Sequence, residues 1–194
     1  MKGVIKMAQV YMAGDLRNGV TFEYNNGIYK VIEYQHVKPG KGGAFIRTRI
    51  KNIVTGAVLD KTFNPGEKFQ GAEIEKQNMQ YLYSDGESYY FMNNDTYDQI
   101  PLTKEQLGEA LQYIKENMSV DILSYKGKIF AVEPPLFVEL EVTYTEPGFA
   151  GNTSSSTMKP ATVETGFQLN VPLFIEIGDV IKIDTRTGEY MERL

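Results

Sequence analysis

Apolar and polar side chains alternate with a period of two along most of this chain, the pattern of strands that bury one face. In "AFIRTRIKNI", Ala44, Ile46, Thr48 and Ile50 fall on one side and Phe45, Arg47, Arg49 and Lys51 on the other. In "GVTFEYNNGIYKVIEYQHV", β-branched and aromatic runs flank Asn26-Gly27, which predicts a two-residue hairpin turn there. Thr55-Gly56, Asp85-Gly86, Lys126-Gly127 and Thr187-Gly188 mark further hairpins. One stretch, "LTKEQLGEALQYIKENM", has a helical period: Leu107, Leu111, Ile114 and Met118 share a face, and Thr103 with Gln106 fits a capping box. Short strands punctuated by turns predict small barrels, and a helix after the Asp85-Gly86 hairpin sits where a five-stranded OB-type barrel carries one.

Two breaks divide the pattern. "FNPGEKFQGA", residues 63–72, is rich in Pro and Gly, and Pro134-Pro135 cannot donate to a central ladder. The expected domains are 7–70, 71–134 and 135–194, each small enough that its core is barely buried. Met7 is an alternative start, so the first six residues carry little structural weight. "PLFVEL" at Pro135 echoes "PLFIEI" at Pro172, too briefly to establish a duplicated domain.

The composition, 42% hydrophobic and 23% charged, is that of a globular protein. No apolar run approaches the roughly 20 residues that cross a bilayer, and "MKGVIKMAQV" lacks the apolar region of a secretory signal. The expected location is the cytoplasm, with no membrane partner. Zero cysteines exclude disulfides and thiol nucleophiles and deprive zinc of its soft ligands. His36 is the single histidine, and the 25 carboxylates form no paired motif for acid-base work. No metal, cofactor or catalytic residue is expected, and the chain reads as a non-enzyme.

The net charge of −5 conceals an asymmetry. Residues 1–70 carry net +6, residues 71–134 net −6 and residues 135–194 net −5. A basic head on an acidic body points to an oriented polyanionic partner, although chance partition among small domains gives the same numbers.

The basic head contains "VKPGKGGAF", Val37–Phe45. Pro39 and Gly40 fit the central positions of a type II turn, which leaves Lys41 at a loop tip with Gly42 and Gly43 bare beside it. Lys38, Lys41, Arg47, Arg49 and Lys51 are five cations with no acid among them in the sequence. The loop does not match a phosphate-cradling motif, because a strand follows where a helix N-terminus is required. A solvated hairpin tip remains open, as does a lysine presented for recognition or modification.

Several long motifs, in order, carry a resemblance. "VKPGKGGAF", "YLYSDGESYYFMNNDTYDQI", "PPLFVELEV", "KPATVETG" and "VIKIDTRTGEYMERL" together resemble the bacterial elongation factor P family, from about Ala8 to Leu194. The resemblance implies an all-β protein of three small β-barrels, an SH3-like N-terminal domain and two OB-fold domains, with one short helix in the middle domain and an L-shaped, tRNA-like outline. It implies a monomer that binds the ribosome between the peptidyl-tRNA and exit sites and relieves stalling at consecutive prolines. Lys41 matches the lysine that reaches toward the CCA end of peptidyl-tRNA and that a modifying enzyme often lengthens.

By the same resemblance, Gly151, Asn152 and Thr153 match a loop that contacts the exit-site codon of mRNA, with asparagine here where the family usually has aspartate. Tyr190 and Arg193 match positions that contact RNA or ribosomal elements. Their own chemistry fits a barrel-closing tyrosine and a solvated terminal arginine equally well. A related factor of archaea and eukaryotes bears hypusine at its loop lysine but has two domains, so the third segment favours the bacterial type. The alternative is a stand-alone RNA-binding OB-fold protein without a ribosomal role. The aromatics of "YLYSDGESYYF" suit base stacking there, or ordinary core packing.

Overall fold

The computed structural model describes residues 9–40, 42–147 and 158–194. The fold is built from strands, with one short α-helix among the described residues. The chain packs as two compact units, the first running to Glu75 and including Ser124–Phe130, the second holding 76–123 and 131–194.

The first unit contains a meander of β2 (Thr21–Tyr24), β3 (Gly27–Val37), β4 (Phe45–Asn52) and β5 (Val58–Phe63). A second small sheet pairs β1 (Val10–Met12) with β6 (Lys68–Gln70). The expected alternation of β4 is observed: Ile46, Thr48 and Ile50 are buried, and Arg47, Arg49 and Lys51 are exposed. Phe22, Phe63 and Phe69 form an aromatic knot, with Phe69 centred 4.9 Å from Phe22 and 4.8 Å from Phe63. Phe69 lies beyond the Pro65-Gly66 turn, so most of the expected break at 63–72 belongs to this core.

One of the two hairpin turns departs from the expected chemistry. The β2–β3 register pairs Tyr24 with Gly27, so the turn residues are Asn25 and Asn26, at φ 46° and 59°, one place earlier than predicted. Gly27 has a different duty, since a Cβ there would come within 2.9 Å of the Tyr29 ring and 3.0 Å of Asn52 Nδ2. The Lys126-Gly127 turn is as expected, with φ 50° and 75°. Its tip belongs to the first unit, where one oxygen of Glu23 accepts the Tyr125 hydroxyl and the Lys126 ammonium, each at 2.7 Å. These hydrogen bonds, Lys126 first, hold the Glu23 carboxyl below its ordinary pKa.

A five-stranded sheet follows, in the order β11-β10-β7-β8-β9. Its strands are β7 (Glu75–Ser84), β8 (Tyr89–Asn93), β9 (Gln99–Leu102), β10 (Ser119–Tyr125) and β11 (Lys128–Glu133). Thr103 caps α1 (Lys104–Leu107) through the predicted box, its hydroxyl accepting from the Gln106 N–H and the Gln106 side chain accepting from the Thr103 N–H. The helix is shorter than its periodicity suggested. Gly108 takes φ 52° and ψ −130°, which breaks the α path and leaves a 3-10 segment over Gly108–Gln112. Leu107 and Ile114 are buried nonetheless.

The last sheet has the order β14-β13-β12-β15-β16, from β12 (Phe137–Thr145), β13 (Met158–Val163), β14 (Gln168–Pro172), β15 (Val180–Asp184) and β16 (Glu189–Arg193). Its core includes Leu140, Val142, Val171, Ile181 and Ile183, and Tyr113 packs into it at 4.9 Å from the Phe167 ring. "PLFVEL" enters β12, whereas "PLFIEI" ends β14 and turns, so the echo is not a structural repeat.

Candidate functional site

β3 and β4 form a long antiparallel hairpin whose last pairs are His36 with Ile46 and Val37 with Phe45. The loop over 38–44 closes it. Lys38, Pro39, Gly40, Gly42 and Gly43 are all exposed, and a Cβ on Gly40 or Gly43 would meet nothing within 4 Å. The left-handed residue is Gly42, at φ 112°, in place of the Gly40 that a type II turn requires. Among the described residues, the Pro39 ring approaches Gly42, at 3.9 Å from its would-be Cβ. Lys41 lies outside the described residues.

The strand that leaves the loop carries the expected cations on one face, with neighbours that sequence spacing does not disclose. Arg47 stands between Gln35 of β3 and Thr62 of β5, both neutral. Arg49 stands between Glu33 and Asp60 and reaches both, at 3.5 Å and 3.8 Å. Lys51 faces Lys30 across the ladder. Among these three, Arg49 is therefore largely offset, while Arg47 and Lys51 keep their field. Beneath them buried Thr48 donates to the Lys61 carbonyl at 3.1 Å, which ties β4 to β5.

The C-terminal candidates are arranged separately, in the second unit. Tyr190 is half-buried against the core of the last sheet. Arg193 sits over the Phe174 ring at 5.4 Å and contacts Asp179 at 3.5 Å. Gly151, Asn152 and Thr153 lie outside the described residues.

Sequence reasoning missed the pair Asp184 and Arg186. Asp184 is 5% exposed, and its carboxylate accepts the Arg186 side chain at 3.0 Å and 2.5 Å and the Arg186 N–H at 2.9 Å. Those bonds, with the Arg186 guanidinium first, hold the carboxyl at about 2. The turn they fix also brings Gly188 against Tyr113 and Phe167, where a Cβ would lie 3.2 Å and 3.1 Å from their side-chain atoms. The available signal was the "DTRTG" run, an acid and a base two residues apart in a turn.

Comparison with known proteins finds one family along the chain. The elongation factor P KOW-like domain profile matches residues 12–69, its OB domain profile 74–132, and the elongation factor P C-terminal profile 138–193. Elongation factor P of Acetivibrio thermocellus is 61% identical over 182 residues, covering 94% of this chain and 98% of the relative. That of Ruminiclostridium cellulolyticum is 59% identical over 183 residues, with the same coverage of both chains.

The chain belongs to the elongation factor P family. Membership makes it a translation elongation factor. In fold, it is similar to the eukaryotic translation initiation factor 5A of Methanococcus jannaschii, with a TM-score of 0.50 at 20% identity, covering 66% of this chain and 98% of that one. A translation initiation factor eIF-5A family protein of Naegleria fowleri is similar at a TM-score of 0.52 and 19% identity, over 66% of this chain and 99% of that one.

The depressed Asp184 carboxyl gives a pH prediction. Its pKa is about 2 when folded against an ordinary 3.8, so the stability it contributes is complete above the ordinary value and is lost as pH falls toward the folded one. Denaturant unfolding midpoints of wild type should drop across that window, and those of Asp184→Asn should start lower and drop less. Parallel acid limbs would contradict this.

Proposed function

We propose that this elongation factor binds the ribosome between the peptidyl-tRNA and exit sites and promotes peptide-bond formation at consecutive prolines. It does so by holding the peptidyl-tRNA in a reactive geometry, with Lys41 at the tip of the 38–44 loop reaching the CCA end. The observation that carries this reading is the identity of 61% across nearly the whole chain to a curated elongation factor P. The unobstructed surroundings of Gly40 and Gly43 support it, because glycines beside the tip lysine let the loop enter a narrow RNA cleft at little steric cost.

Within this reading the domains are 7–70, 71–134 and 135–194, and the factor acts as a cytoplasmic monomer without cofactor or metal. Pro39, Gly40, Gly42 and Gly43 shape the loop, and Lys41 is the substrate of a modifying enzyme. Lys38, Arg47, Arg49, Lys51, Tyr190 and Arg193 contact RNA or other ribosomal elements. Gly151, Asn152 and Thr153 approach the exit-site codon, where Asn152 donates and accepts hydrogen bonds without the charge of an aspartate. The contribution to rate is positional: proline is a slow participant in peptide transfer, and about 2.7 kcal/mol of better alignment is a hundredfold in rate. The peptide bond is made by the ribosome.

Reconstituted translation of a polyproline message tests the reading. Added wild-type protein should relieve the stall, and Lys41→Ala should lose most of the relief with an unchanged unfolding midpoint; equal relief by both proteins would remove Lys41 from the mechanism. Ribosome binding measured against salt should separate the two strand arginines. Arg47→Ala should lower the salt slope by about one, and Arg49→Ala by less, since Glu33 and Asp60 already offset it. The reverse order would contradict the electrostatic account.

A further inference from the structure

The second unit carries an aromatic pair that its core does not consume. Tyr81 of β7 and Phe91 of β8 stand opposite one another and are both buried. Strict alternation would send Tyr83 to the same buried side. The register instead shifts between Tyr81 and Tyr83, so Leu82 is the extra residue of a β-bulge and Tyr83 stands opposite Tyr90. Tyr90 precedes buried Phe91 and so points to the outer face, and the bulge turns Tyr83 out beside it, 47% exposed. The two rings stack at 4.8 Å with 21° between their planes.

The adjoining turn fixes this pair in place. One oxygen of Asp85 accepts the N–H groups of Glu87 and Ser88 at 3.0 Å and 2.8 Å, and the other accepts the Tyr90 hydroxyl at 3.0 Å. That bond anchors Tyr90 behind the stacked, exposed Tyr83 ring, and an exposed aromatic ring face attracts a cation. The surrounding charge has the same preference. Asp85 and Glu87 flank the pair, within a segment of net −6 between residues 71 and 134. A nucleic-acid base would use the same ring face, but its phosphates would then meet carboxylates.

We propose that Tyr83 and Tyr90 form a docking platform for an arginine side chain of a basic protein partner. The guanidinium lies on the open Tyr83 ring, and the Asp85 and Glu87 carboxylates supply the complementary charge. This surface is independent of the lysine loop and of the proline-specific reading.

The test is an NMR titration of the full chain, labelled at its tyrosine rings, with an acetylated hexa-arginine amide and, separately, with hexauridylate. The peptide should shift the Tyr83 and Tyr90 ring resonances, and added salt should weaken the effect. Tyr83→Ala should weaken peptide binding about fivefold, Tyr83→Phe should retain it because the ring face remains, and Asp85→Asn should fall between. Equal peptide affinity in wild type and Tyr83→Ala would reduce the attraction to bulk acidity and overturn the proposal. Shifts of these rings by hexauridylate in place of the peptide would overturn it in favour of an RNA surface.

Discussion

A strand that alternates cannot slip by one residue without turning inside out, and β4 is held by neighbours on both sides. Its register places Ile46 and Ile50 in the aromatic core of the first unit and Thr48 in a buried hydrogen bond. The same register leaves Arg47, Arg49 and Lys51 outward. Moving it by one place would bury guanidinium groups and expose isoleucines, each change costing several kcal/mol. The basic face and the placement of the 38–44 loop at the end of the hairpin are therefore consequences of one packing constraint. The aromatic knot of Phe22, Phe63 and Phe69 on the inner side makes that constraint stiff.

Electrostatics follows from the same ladder. The cations of β4 look equivalent along the chain, yet the strands beside them divide them into an offset Arg49 and uncompensated Arg47 and Lys51. The exposed face therefore presents a graded positive field, not a uniform one. In the second unit the balance is reversed, and there the exposed aromatic surface is bordered by carboxylates. The two units thus offer different chemistry, cationic and loop-bearing in one, acidic and aromatic in the other.

What could be read from the residues alone was whatever depends on near neighbours in sequence. The alternation of β4, the capping box at Thr103 and Gln106, and the turn at Lys126-Gly127 are local and were legible. What failed depends on partners or on a single dihedral. Gly27 looked like a turn residue, but it is needed for clearance beside Tyr29. Gly108 stops a helix that its hydrophobic period would have continued. The left-handed position of the loop fell on Gly42, not Gly40. The outward aim of Tyr83 required a bulge that no period-two pattern contains. At the candidate site, exposure of the strand cations was legible, while the offsetting of Arg49 was not, because Glu33 and Asp60 arrive from other strands.

The proposed action rests on one spatial claim, that the residue between Gly40 and Gly42 meets the acceptor end of the peptidyl-tRNA. A photoreactive amino acid placed at position 41, bound to ribosomes stalled on a polyproline message and irradiated, tests it directly. The principal cross-link should fall on the CCA end of the peptidyl-tRNA. A principal cross-link elsewhere in the ribosome, with the CCA end unlabelled, would contradict it.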